Sequence, residues 1–193
     1  MKMANYYIAD THFGHQNAIR FDNRPWNTVE EMTEGLIERW NSVVNKGDTV
    51  YILGDFLWDK SIERQVLGRL KGHKALIKGN HFRVSEEGRQ HFIWIKDYAE
   101  IKDSGYNAIM CHYPIPFYRA SYDPHKIMLC GHVHTTAEDV LLTSLRKQMR
   151  ETREKTGDKS LSCGNILNVG CMKDYMDYTP RDINYLVDVL NRI

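Results

Sequence analysis

Five short apolar runs, each ending at a polar cluster, constrain this chain more than any other feature. They cover residues 6–9 before Asp10, 49–53 before Gly54-Asp55, and 75–78 before Gly79-Asn80-His81. The last two cover 108–111 before His112, and 127–130 before Gly131-His132. Their length and their β-branched and aromatic content predict strands, and their near-continuous hydrophobicity predicts cover on both faces. Helical patterns lie between them. Met32, Leu36, Ile37 and Trp40 follow a capping-type start at Asn27-Thr28 and end before Gly47; residues 61–70 form a shorter candidate closed by Gly72. Strands alternating with helices predict a layered α/β architecture.

The same five strand ends deliver groups that can bind a metal: Asp10-x-His12, Asp55, Asn80-His81, His112 and His132-x-His134. Each has an ordinary reading by itself, as a cap, a turn or a surface histidine. Together, at the carboxyl ends of successive strands, they fall where layered α/β proteins place their sites. Extended backbone would point residues i and i+2 to one side, so each D-x-H or H-x-H pair would face the same way.

Bulk properties exclude several classes. The net charge is +1, so no overall field draws the chain to nucleic acid or an anionic membrane, and no long duplex partner is expected. The four cysteines form no CxxC pair, and with 42% hydrophobic residues the composition is that of an ordinary globular protein. The opening MKMANYYIADTHFGH has no apolar leader core, and no window is long and apolar enough to span a bilayer. The expectation is a cytoplasmic protein with reduced thiols. Cys111 and Cys130, each just ahead of a candidate metal-binding block, are expected to be buried structural thiols. One domain spanning 1–193 is expected, with a charged helical insertion at about 137–165 whose sparse apolar stripe is Val140, Leu141, Leu145 and Met149. Its later part, RKQMRETREKTGDKS, carries six basic and three acidic residues, which suits a solvated face.

The order of the blocks resembles the five-block signature of the calcineurin-like metallophosphoesterases, and Asn168-Val169-Gly170 extends the likeness. DTHFGH with RFDNRPW, and the later NVGCMKDYMDYTPRDI, are similar to the small stand-alone bacterial and phage members. The resemblance implies a four-layer α/β/β/α sandwich with two mixed sheets. It also implies two metal ions, one held by Asp10, His12, Asp55 and His134, the other by Asp55, Asn80, His112 and His132, with Asp55 shared. His81 would act on the substrate rather than bind metal; many relatives follow it with Asp, where this chain has Phe82. His15 and Arg24 are candidates to hold a substrate phosphate, Arg through its planar fork.

Those residue types suit phosphoester hydrolysis. Paired divalent ions acidify a water and clamp phosphate oxygens, and a neutral Asn80 leaves the site with net positive charge for an anionic substrate. Imidazole, carboxylate and amide donors without thiolate suit Mn, Fe, Ni, Co or Zn without choosing among them; Mn is the expected metal. The expected activity is a di-metal phosphoesterase, with phosphodiesters (cyclic nucleotides or short nucleic-acid ends) favoured over small phosphomonoesters. The rival is a non-catalytic metal-binding scaffold on the same fold. A homo-oligomer is compatible with either.

Overall fold

A computed structural model describes residues 3–193. The five anticipated strands are present: β1 (Asn5–Ile8), β2 (Thr49–Leu53), β3 (His73–Ile77), β6 (Tyr106–Cys111) and β7 (Lys126–Cys130). Four more have weaker signals and were not anticipated: β4 (Phe92–Lys96), β5 (Tyr98–Asp103), β8 (Ile166–Asn168) and β9 (Arg181–Asp182). They are half-exposed, very short or at a sheet edge, so they lack the continuous apolar run that marks a covered strand. The strands form two mixed sheets, in the orders β4-β3-β2-β1-β9 and β5-β6-β7-β8. In the first only β9 is antiparallel to its neighbour, and in the second only β5 is.

Side-chain alternation fixes the layers. Tyr7, Tyr51, Ala75 and Trp94 share one row of the first sheet. Tyr7 stacks on Tyr51 and its hydroxyl donates to Asp103 on β5, so this face looks at the second sheet. The alternate row carries Tyr6 and Val50, and the Tyr6 hydroxyl donates to the Val43 carbonyl at the end of α2 (Val29–Val43). That face is therefore covered by helix. In the second sheet Ala108, Met110, Ile127 and Leu129 join the large core between the sheets, while Ile109, Met128 and Cys130 form a smaller core with Leu142 and Met149 of α5 (Ala137–Thr156). The arrangement is the expected α/β/β/α sandwich.

The helices follow their local chemistry. Thr28 caps α2 by accepting from the Glu31 N–H, and the buried face is Met32, Leu36, Ile37 and Trp40, as the spacing predicts. The segment expected at 61–70 begins as a 3-10 turn at Lys60–Ile62 and continues as α3 (Glu63–Arg69). Short helices α1 (Gln16–Phe21) and α4 (Glu86–Arg89) and the closing α6 (Ile183–Arg192) complete the set. Among the described residues no helix is long and apolar enough to cross a membrane.

The α5 stripe differs from its expectation. Leu142, Arg146 and Met149 are buried, whereas Val140 and Leu141 stay 64% and 67% exposed. The helix is rotated so that its inward face includes an arginine, which a hydrophobicity count does not find.

Candidate metal centre

The two sheets meet where their central strands end. Ala9, one residue past β1, donates its N–H to the Val169 carbonyl and accepts from the Cys171 N–H, joining the first sheet to the end of β8. Beyond that junction the strand-end loops bond to one another: Asp10 N–H to Gly54 O, His12 N–H to Asp55 O, and Gly131 N–H to His112 O. Blocks far apart in sequence are thus held in one crevice by main-chain bonds.

The backbone there is not extended. Asp10, His12, Asp55, His132 and His134 have φ of 56°, 49°, 45°, 70° and 45°, and they are five of the ten non-glycine residues with positive φ among the described residues. Extended backbone therefore does not align the Asp10-x-His12 and His132-x-His134 pairs. The side chains converge because the loops are left-handed, a conformation that costs of order 1–3 kcal/mol per non-glycine residue and clusters at functional sites. Two glycines make room for the convergence. A Cβ on Gly54, itself at φ 93°, would collide with the His112 ring, and one on Gly79 would collide with the Asp55 carboxylate.

All seven candidate ligands come together. Asp10, His12 and His134 offer donor atoms within 4.8 Å of one another, as do Asp10, Asp55 and His112. Asp55 Oδ2 lies 3.8 Å from His12 Nε2 and 3.6 Å from His112 Nε2, between the two groups. Asn80 Oδ1 is 2.9 Å from His112 Nε2 and 3.0 Å from His132 Nδ1. Thus His132 and His134, separated by one residue, turn to different groups.

The donors are set up to receive a cation. A carbonyl only accepts, so His112 Nδ1, 2.9 Å from Leu53 O, donates, and its Nε2 presents a lone pair to Asn80 Oδ1. His134 Nδ1 donates to Asp22 at 2.7 Å, which likewise aims Nε2 inward, 3.9 Å from Asp10 Oδ1. That Asp10 oxygen is buried and has no hydrogen-bond partner, and neither has His12 Nδ1. Lone pairs gathered around a buried, unpaired carboxylate oxygen repel unless a positive charge sits among them, so the residues present fit divalent metal.

Burial and neighbouring charges shift these groups in different directions. Burial, assisted by the Asp55 charge, pushes the Asp10 carboxyl up to about 7 against the pull of His134, the His132 N–H and Arg24. Burial also lowers the His12 and His112 imidazoles, with Arg24 adding to the effect at His12. His134 runs the other way: burial opposes its protonation, but the Asp22 hydrogen bond and the Asp10 and Asp22 charges outweigh it and raise the ring. Without a cation, burial disfavours charge on the carboxylate and on two of the rings alike.

The remaining candidates separate. His81 lines a cavity of about 370 Å³ beside these groups and donates its N–H to Asp55 Oδ1. Phe82, next to His81, packs against the main core. His15 lines the same cavity and stacks on Trp58 at 3.8 Å between ring centroids. Arg24 does not line it. Its side chain is buried, donating to the carbonyls of Asp10 and Thr11 and pairing with Asp22 at 2.7 Å. The expected substrate arginine instead holds the first loop in place, because every donor that could meet a phosphate from the cavity is already used inside the protein.

Sequence reasoning missed Asp22 and Trp58. Asp22 lies within the RFDNRPW stretch, yet nothing local marks it as the partner of a histidine 112 residues away. Cys111 packs toward the smaller core and Cys130 lies wholly inside it; burial pushes both thiols up, away from metal binding at neutral pH.

Fold and site together define a four-layer α/β protein with a candidate metal centre at its strand ends. The chain belongs to the same family as the uncharacterized protein MJ1445 of Methanocaldococcus jannaschii, 33% identical over 85% of this chain and 89% of that one. The gene 66 protein of Mycobacterium phage L5 is 30% identical over 67% of this chain and 77% of its own length. Among solved structures, the protein of unknown function AQ665 from Aquifex aeolicus shares the fold, with a TM-score of 0.62, 22% identity and coverage of 97% of this chain and 100% of that one. No family model matches the chain.

Proposed function

We propose that this protein is a metal-dependent phosphoester hydrolase of the calcineurin-like type, with phosphodiesters favoured over monoesters. The observation that carries the reading is the unpaired, fully buried Asp10 Oδ1, 3.9 Å from the inward-facing His134 Nε2, in a residue grouped with His12, Asp55 and His112. A metal-binding scaffold would need the same cluster; what favours catalysis is the open cavity beside it, with His81 on its wall.

Asp10, His12, Asp55 and His134 would hold one ion and Asp55, Asn80, His112 and His132 the other, Mn being the metal proposed. Such ions supply a nucleophile from water and draw charge from phosphate oxygens. The oxygen of a water would bond to phosphorus as that water gives up a proton to solvent, an ester P–O bond would break, and the leaving oxygen would take a proton. His81, on the cavity wall with its main chain pinned to Asp55, is the proposed proton donor. His15, stacked against Trp58, would border the bound ester.

The test is a panel on Mn-loaded protein: a chromogenic diester, a chromogenic monoester and cyclic nucleotides. Turnover of the diester above the monoester is expected. With metal bound and no ester hydrolysed, the scaffold reading would replace this one. His81→Ala should lower kcat by roughly 10²–10⁴ at unchanged metal content; full turnover in that variant would remove the role.

A further inference from the structure

A larger hollow, about 660 Å³, opens beside the candidate centre, and His132 is the one residue that lines both it and the His15–Trp58 cavity. Tyr113 stands at the junction, its ring edge-on to His132 at 4.6 Å and to His112 at 5.1 Å. From there the walls are Pro114, Pro116, Leu141 and Leu145, between the loop after β6 and the outer side of α5. A smaller hollow of about 220 Å³ continues the track past Phe117 and Leu161 and shares Leu145 and Gln148 with the first. At 1.5 Å per residue, the stretch of α5 from Glu138 to Thr152 gives this track a length of about 21 Å.

Its chemistry is specific. Leu141 and Phe117 are 67% and 76% exposed, large apolar side chains left in water beside a polar centre. Among the described residues no lysine or arginine lines either hollow, and the one carboxylate on the walls is Glu138. A polyanion would find no countercharge along the track, whereas an uncharged apolar group would gain by displacing water.

We propose that this groove receives an uncharged, apolar ester limb of a phosphodiester whose phosphoryl group lies at His132. The proposal rests on the phosphoesterase reading and narrows it: the substrate is a diester with one greasy or flat limb, not a nucleic-acid chain whose phosphates run along α5. A nucleobase and an alkyl chain offer the same chemistry to these walls.

The experiment measures kcat/KM of Mn-loaded protein on p-nitrophenyl phosphodiesters whose second limb is methyl, butyl, octyl, phenyl or thymidine. Burial of the limb should raise kcat/KM by about two- to fourfold per methylene until the groove is filled. The octyl arm against the thymidine arm separates an alkyl source from a nucleoside one. Leu141→Glu, on an exposed position, should collapse the octyl-to-methyl ratio, while Lys147→Glu, exposed on the same helix and outside the groove, should keep it. Independently of turnover, mono-octyl methylphosphonate should shift the amide resonances of Ser144 and Gln148. A flat series with the methyl diester hydrolysed would overturn the groove and leave the phosphoesterase standing; no hydrolysis of any ester would sink both. A wild-type dimer that Leu141→Glu dissociates, with the octyl-to-methyl ratio unaltered, would assign the groove to a second copy of the chain.

Discussion

The two halves of the candidate centre are built differently. Around Asp10, His12 and His134 the protein is closed from behind: Asp22 and Arg24 tie His134 to the first loop, while His12 and His134 face the smaller cavity. Around Asn80 and His132 it is open, although His112 beside them is buried. Asn80 is exposed, His132 borders both hollows, and orientation from behind comes from the Leu53 carbonyl on His112. Both groups face the smaller cavity, but the first is braced by a charged pair and the second reaches the larger hollow through His132. Support behind the ligands, more than the ligands themselves, distinguishes the two.

The comparison can be broken at several levels, beginning with the group that joins the halves. Asp55→Ala removes the carboxylate lying between them and should depress turnover at least about a thousandfold and lower metal content. Elemental analysis beside the diester assay checks this; full di-metal occupancy in the variant would deny Asp55 its shared place. Next is the clamp behind the closed half. Arg24→Ala leaves Asp22 buried without its cation and strands two carbonyls, so unfolding free energy should fall by about 3–5 kcal/mol, read from urea midpoints on metal-free protein. A loss below about 1 kcal/mol, no larger than that of a solvated surface pair, would mean that the loop holds itself.

The smallest effect is the most discriminating. Asp22→Asn keeps the shape but weakens the support of His134, and should cost about 10–100-fold in affinity at one metal while sparing the other. Calorimetric titration would resolve the two; an equal fall in both would erase the distinction between the halves.

Much of the fold was legible in local pattern. Continuous apolar runs revealed the five strands that are covered, and the capped stripe at 28–40 gave α2. The edge and short strands escaped because a half-exposed strand leaves no run to count. On α5 the hydrophobicity of Val140 and Leu141 pointed to the wrong face, because packing placed Arg146 inward instead.

The candidate site divides along the same line. Sequence by itself supplied the seven candidate donors and their positions just past strand ends, since a strand's length and its terminating cluster are local properties. The tertiary structure decided how they meet. The left-handed backbone at Asp10, His12, Asp55, His132 and His134 is held by main-chain bonds between separate blocks. The partner of His134 is Asp22, reached only when the chain folds back on itself. It also decided that Arg24 faces inward, since a guanidinium's choice between a phosphate and its own carbonyls depends on which lies within reach after folding. Local chemistry names the groups, and long-range packing sets their orientation and their partners.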